Sequence, residues 1–293
     1  MAIRTVGLLS PGDMGHSVGA VLRRHGLRVL TCLAGRSDRT RLLAAAADIA
    51  DVPSLEDLVR EADALICILV PSEALGVAWR VADAIKATGA DLLYADCNAI
   101  APRTVRAAGE VIAAAGGRFA DVGIIGPPPR RPGTRFYASG PGATEFAELA
   151  GYGLDLRVLP GDIGQASALK MCYGALTKGL QALGTELLLA ARLLGVEDAL
   201  RAEQRASLPD LRAHLERSLP GMPPKAYRWV GEMEEIARCF ADVGLTPEIF
   251  QGAADLYRFV AETSVSKETP EGRDQGRDLD ALIAALAGEG VRA

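Results

Sequence analysis

Apolar runs and helical stripes alternate along the first half of the chain. Ile3–Leu9, Arg28–Leu33, Ala64–Val70, Asp91–Ala95 and Arg118–Ile124 are short β-branched or leucine-rich runs that predict strands. Between them, Met14–His25, Arg39–Ala47, Ser72–Ala87 and Arg103–Ala115 carry the 3.6-residue period of helices. Strands that alternate with helices of this length predict an α/β fold with a doubly wound parallel sheet. The run Ala64-Leu-Ile-Cys-Ile-Leu-Val70 is apolar throughout, as a strand covered on both faces should be. Arg135–Ala138 and Leu154–Val158 are further strand candidates.

The pattern changes after Pro160-Gly161, from where only helical periodicity is expected. Leu169, Leu176, Leu180, Leu183 and Leu187 form one stripe over about thirty residues, with Asp162 as the expected N-cap and Gln165 as its reciprocal partner. Leu219–Pro224 interrupts the pattern, and helices are expected again over Tyr227–Val243 and Pro247–Ser264. Ser266–Asp278 reads as a charged loop before a last short helix. These changes predict two domains, residues 1–161 and an all-α 162–293.

With 293 residues, the chain is long enough to bury roughly 75% of its extended surface. Its net charge of −5 leaves no broad electrostatic footprint for nucleic acid or an anionic membrane. Cys32, Cys67, Cys97, Cys172 and Cys239 are scattered without a C-x-x-C pair, and His16, His25 and His214 form no ligand cluster. A reducing, cytoplasmic location is expected, with no structural zinc. The start lacks the apolar stretch of a signal peptide, and Leu180–Val196 is interrupted by Glu186 and Arg192, so no membrane span is expected.

Candidate chemistry begins where the first strand meets the first helix. In Leu9-Ser-Pro-Gly-Asp-Met-Gly15, Gly12 and Gly15 take the second and third positions of a G-x-G-x-x-G dinucleotide fingerprint, and Ser10 takes the first. The helix that follows would turn free N–H groups toward a pyrophosphate. An ordinary strand–helix turn is the plainer alternative. The second strand runs into Leu33-Ala-Gly-Arg-Ser-Asp38, where an NAD enzyme usually carries an acid for the ribose 2′-hydroxyl. Arg36 and Ser37 stand there instead, with Arg39 and Arg41 nearby, which favours the 2′-phosphate of NADP. Solvated surface arginines are the competing reading.

Four segments resemble the β-hydroxyacid dehydrogenase superfamily, which includes 3-hydroxyisobutyrate and 6-phosphogluconate dehydrogenases. Ser10–Gly15 is similar to its G-x-G-x-M-G, and Asp96-Cys-Asn-Ala-Ile-Ala-Pro102 to its D-x-S-T-x-x-P. Asp121-Val-Gly-Ile-Ile-Gly126 falls where D-A-P-V-S-G stands, and Gly164-Gln-Ala-Ser-Ala-Leu-Lys170 matches the segment carrying the catalytic lysine. Further on, Pro224–Glu235 is similar to a bacterial subgroup described as 6-phosphogluconate-dehydrogenase-like with a distinct helical C-terminal domain.

The resemblance implies a Rossmann domain, an all-helical second domain and homodimers built through the latter. It also implies a cofactor site from Ser10, Gly12, Asp13, Met14, Gly15, Arg36, Ser37, Val70, Pro71 and Asn98. Substrate would meet Asn98, Ile125, Gly126 and Gly174. Two polar contacts of the family are replaced, the serine by Ile125 and the asparagine four residues past the lysine by Gly174. An isobutyl-sized group makes no hydrogen bond to a carboxylate, so a bulkier or less polar substrate is expected.

Lys170 is the expected general acid/base, since hydride transfer from an alcohol needs a group to take the hydroxyl proton. A snorkelling surface lysine is the alternative. Lys178, eight residues on, is a second cation or merely solvated. Cys97 and Cys172 read as packing residues, His16 as part of the first helix, and Gly126-Pro-Pro-Pro-Arg-Arg-Pro-Gly133 as a rigid loop bordering the site. The expected function is an NADP-dependent oxidoreductase acting on a hydroxy-acid-like substrate. The alternatives are an imine reductase of the same architecture and a catalytically inactive NADPH-sensing protein.

Overall fold

The computed structural model describes residues 3–268, 272, 274 and 276–289. Strand β1 (Thr5–Leu9) leads into α1 (Asp13–Arg24), and β2 (Arg28–Thr31) into α2 (Asp38–Ala46). Next come β3 (Ala50–Asp51), α3 (Leu55–Glu61), β4 (Ala64–Cys67), α4 (Ala74–Thr88), β5 (Leu93–Asp96) and α5 (Pro102–Ala114). Then β6 (Arg118–Ile125), β7 (Arg135–Ser139), the single turn α6 (Ala143–Phe146) and β8 (Leu156–Val158) complete one sheet. Its order is β3-β2-β1-β4-β5-β6-β7-β8, parallel except where β7 turns back along β6. The strand order reverses between β1 and β4, and ligands of doubly wound sheets bind at that crevice, outside the strands' carboxyl ends.

Alternation along the strands separates two cores. Val6, Leu8, Ala64, Ile66, Leu93 and Ala95 face α1 on one side. Leu65, Cys67 and Tyr94 face Val77 and Val81 of α4 and Val105 of α5 on the other. Register then aligns one row of residues across the carboxyl edge: Leu9, Cys67, Asp96, Asp121 and Ser139 are successive partners on β1, β4, β5, β6 and β7.

Strand β3, helix α3 and the single turn α6 lie outside the expected pattern. Strand β3 is two exposed residues long and carries no apolar run. Helix α3 is announced by Ser54, whose hydroxyl accepts from the Asp57 amide at 3.0 Å. Strand β4 stops at Cys67 rather than Val70, because Leu69–Pro71 bends away into a 3₁₀ turn over Pro71–Glu73 before α4.

Helix α7 (Gln165–Leu193) runs 29 residues, roughly 43 Å. Its N-terminus is not capped by the Asp162 side chain. The Gly164 and Ser167 amides donate to the buried Asp121 carboxylate, the Ala166 amide donates to the Ser139 hydroxyl, and Asp162 offers only its backbone carbonyl to Gln165. The chain divides into two compact units, Met1–Met171 and Cys172–Ala293. The division falls inside α7 rather than near residue 161, because the first turns of the helix bury Ala166, Ser167 and Met171 in the N-terminal unit.

The second unit continues with α8 (Glu197–Ser207), α9 (Pro209–Ser218), α10 (Ala226–Ala241), α11 (Glu248–Glu262) and α12 (Leu279–Gly288). The break at Leu219–Pro224 is a pair of 3₁₀ turns. Trp229 meets Tyr257 edge-on at 5.3 Å and Phe240 meets Phe250 at 4.7 Å, joining α10 to α11. Lys178 lies over the Trp229 ring at 5.4 Å and pairs with Glu232, so it is a packed and paired cation of this unit. Of the charged loop expected over Ser266–Asp278, residues 269–271, 273 and 275 lie outside the described residues. No described helix is long and apolar enough to cross a membrane.

Candidate functional site

The turn after β1 has the geometry its glycines allow. Ser10, at the first fingerprint position, holds φ +64°, the left-handed region that explains why glycine is usual there. Its carbonyl accepts from the Gly12 amide at 2.7 Å. A Cβ on Gly15 would sit 2.4 Å from that same carbonyl, so the third glycine is required for α1 to start this close to the strand. A Cβ on Gly12 would meet nothing within 4 Å, leaving open space over the helix N-terminus. Asp13 and Met14 form its first turn, and His16 follows with its Nδ1 against the Gly12 carbonyl at 2.6 Å. This loop fits a dinucleotide pyrophosphate.

At the end of β2, Ser37 is committed to the fold: its side chain caps α2 by accepting from the Thr40 amide. Arg41 turns back to the Leu33 carbonyl at 2.7 Å. Among the described residues, no acidic side chain pairs with the Arg36 guanidinium. It is close enough to the carboxyl edge to bear electrostatically on Cys67.

The ends of β4 and β5 are laced together through Asn98. Its amide Oδ1 accepts from Leu69 N–H at 2.6 Å, its Nδ2 points to the Cys67 sulfur at 3.5 Å, and its backbone N–H donates to Asp96 Oδ1 at 2.9 Å. Asn98 is buried, and these bonds tie the turn holding Cys97 to the segment that carries Val70 and Pro71. Val70 is exposed at the crevice and Pro71 is buried beneath it.

Lys170 completes the edge. Its Nζ donates to the Cys97 carbonyl at 3.2 Å. A Cβ on Gly123 of β6 would approach the Ala166 carbonyl to 2.7 Å and the Lys170 Cβ to 3.3 Å. Gly123 thus lets α7 dock closely enough for Lys170 to reach over the strand ends. Burial lowers the Lys170 pKa, opposed by the nearby Cys97, Asp96 and Asp121. Burial raises Asp96 to about 6, the hydrogen bonds from Asn98 and the charge of Lys170 working the other way. Burial likewise pushes the Cys67 thiol up to about 12, which leaves it a packing residue. Asp96 Oδ2 and Tyr94 Oη are buried without a partner.

Ile125 is buried at the end of β6, and Gly126 holds φ +116° at the start of the proline-rich loop. Gly174 lies in the second unit, where a Cβ would meet Ile236 at 3.3 Å, so packing against α10 accounts for it. The N-terminal unit therefore gathers Ser10, Gly12, Asp13, Met14, Gly15, Arg36, Val70, Asn98, Ile125 and Lys170 around the carboxyl edge of the sheet. Sequence reasoning missed Asp121, Gly123 and the Cys97 carbonyl. The first two lay in a segment already singled out, but their task is set by a helix some forty residues away.

Known proteins share this architecture. Residues 5–144 match the NAD binding domain of 6-phosphogluconate dehydrogenase, and residues 191–260 match a domain of unknown function, DUF1932. A conserved protein whose structure revealed similarity with 3-hydroxyacid dehydrogenases is 33% identical, covering 87% of this chain and 97% of that one at a TM-score of 0.65. The 3-hydroxyisobutyrate dehydrogenase of Mycobacterium tuberculosis, solved with L-serine, shares the fold at 21% identity and a TM-score of 0.68, over 89% of this chain and 95% of its own. An imine reductase from Streptomyces aurantiacus shares it at 18% and 0.51, over 92% and 97%. An uncharacterised 28.5 kDa protein of Methanothermus fervidus is 28% identical over 195 residues, 67% of this chain and 74% of that protein. By these matches, and by the loop, sheet and lysine that accompany them, the chain belongs to the β-hydroxyacid dehydrogenase-like superfamily of NAD(P)-binding oxidoreductases.

Proposed function

We propose that this protein is an NADP-dependent oxidoreductase that transfers a hydride between nicotinamide and a hydroxy-acid-like substrate, with Lys170 as general acid/base. The observation that carries the reading is the partly buried Lys170 amine held against the Cys97 carbonyl at the carboxyl edge of the sheet. When bound, a nicotinamide supplies the hydride acceptor or donor. In the oxidative direction Lys170 Nζ takes the hydroxyl proton as the carbon gives up its hydride, and in reverse it returns that proton to the forming alkoxide. A pKa lowered by burial raises the neutral fraction of the amine near neutral pH, which suits the base. Arg36, which pairs with no acidic side chain among the described residues, supports the choice of the 2′-phosphate cofactor. We place the enzyme in a reducing, cytoplasmic compartment as a homodimer.

The test pairs two measurements. Nicotinamide fluorescence is titrated with NADPH and NADH in parallel, for the wild type and for Arg36→Ala. NADPH binding at least about tenfold tighter than NADH, lost in Arg36→Ala, supports the cofactor reading. Equal or tighter NADH binding removes it. Lys170→Met should keep cofactor affinity and lose turnover by orders of magnitude, and retained turnover ends the acid/base role.

A second reading, imine reduction, is favoured by Ile125, which puts a buried apolar side chain where the family's serine helps hold a carboxylate. Turnover of cyclic imines with none of hydroxy acids selects it.

A further inference from the structure

The dinucleotide loop carries an acid where an anionic cofactor would arrive. Asp13 is the first residue of α1, and its side chain is only 10% exposed. A carboxylate in a first helical turn is favourable to the helix, but the same N–H groups are what a pyrophosphate needs, and two anions there repel. Asp13 Oδ1 accepts from Arg130 Nη1 at 2.9 Å. That arginine comes from 117 residues away, out of the proline-rich loop joining β6 to β7.

The loop is built to keep Arg130 in place. Its two ends touch: a Cβ on Gly126 would lie 2.3 Å from the Gly133 carbonyl, and the Thr134 hydroxyl donates to the Pro127 carbonyl. Pro127, Pro128, Pro129 and Pro132 stiffen the tip between them. Arg130 is 47% exposed and, with five N–H donors in its fork, has donors beyond the one given to Asp13.

We propose that Arg130 is part of the cofactor's phosphate site: it neutralises Asp13 and offers its remaining donors to the pyrophosphate, so that the proline-rich loop and the glycine loop act as one anion-binding unit. The inference rests on the dinucleotide reading above. It differs from a simple latch, in which the ion pair only fastens two loops together.

Fluorescence titration with NADPH on the wild type, Arg130→Ala, Asp13→Asn and the double variant separates these cases. Arg130→Ala should weaken binding about tenfold or more at low ionic strength, and less at 0.5 M salt because the guanidinium is half exposed. Asp13→Asn should bind at least as tightly as the wild type, and the double variant should recover the part of the Arg130→Ala loss that comes from the unneutralised Asp13, but not the part that comes from Arg130's own donors. Wild-type affinity in Arg130→Ala overturns the proposal. So does a latch pattern, in which Asp13→Asn weakens binding as much as Arg130→Ala and the double variant recovers nothing. A wild-type protein that binds neither NADPH nor NADH overturns the dinucleotide reading itself, and the inference with it.

Discussion

Removing the Asp121 carboxylate should cost the N-terminal unit about 4 kcal/mol. Asp121 is fully buried and accepts four hydrogen bonds: Gly164 N–H at 2.8 Å, Ser167 N–H at 3.1 Å, Ser167 Oγ–H at 2.6 Å and Ser139 Oγ–H at 2.9 Å. In Asp121→Ala all four donors lose their acceptor, with two backbone amides stranded at a helix N-terminus. Each unmatched buried donor costs about 1–3 kcal/mol, and rotation of the two hydroxyls plus water entry recovers part of that. About 4 kcal/mol is a large share of the 5–15 kcal/mol typical of a domain. Ser139→Ala strands one amide, that of Ala166, and should cost about 1–2 kcal/mol. Urea unfolding followed by circular dichroism measures both variants, with the midpoint moving at unchanged slope. A loss below about 1 kcal/mol for Asp121→Ala refutes the claim that this carboxylate pins α7.

Three further predictions come from Ser10, from Asp96 and from the pair Leu176 and Leu183. Ser10→Gly relieves a left-handed backbone conformation and should raise stability by about 1 kcal/mol, read as a higher thermal midpoint; a lower one contradicts the assigned strain. Asp96 titrates near 6 folded against an ordinary 3.8, so the native state holds its proton more tightly. Stability from this group is complete below pH 4 and is lost as pH rises through 6, by about 3 kcal/mol in all. Asp96→Asn should flatten that slope, and an unchanged stability–pH curve contradicts the assignment. Leu176 and Leu183 sit seven residues apart on α7, 67% and 61% exposed, so Leu176→Glu with Leu183→Glu should turn the proposed dimer into a monomer on gel filtration; an unaltered elution volume argues against that interface.

What the sequence discloses and what it withholds follow from the range of the interactions involved. The fingerprint turn is legible because Gly12 and Gly15 act on their own neighbours, and the odd residue Ser10 points to the strain the backbone carries. Lys170 is legible through the resemblance of its segment. Its hydrogen-bond acceptor is not, because a backbone carbonyl at Cys97 has no side-chain signature. Asn98 marks a segment that matters, yet its amide is spent joining β4 to β5. The expected Asp162 cap is sound local chemistry that a tertiary contact overrides, since Asp121 reaches the helix N-terminus from the next layer. Strand β3 escapes notice because two exposed residues carry no period, whereas Ser54-x-x-Asp57 before α3 is a signal that was there to be read.

Strand β6 gathers these threads, because every second residue of a strand faces the same way. Val122 and Ile124 enter the core around α1, so Asp121, Gly123 and Ile125 face the opposite side. On that side Asp121 holds the start of α7, and Gly123, two residues on, leaves the gap in which the Ala166 backbone and the Lys170 Cβ settle. Ile125 is the next residue on the same face, which puts its side chain at the sheet edge on the lysine's side. The first two positions serve the placing of the lysine, and the third is the position at which the family's motif carries a serine, the substrate contact the resemblance implies. Family resemblance at Asp121 and Lys170 therefore argues for shared chemistry, while the change at Ile125 argues for a different substrate.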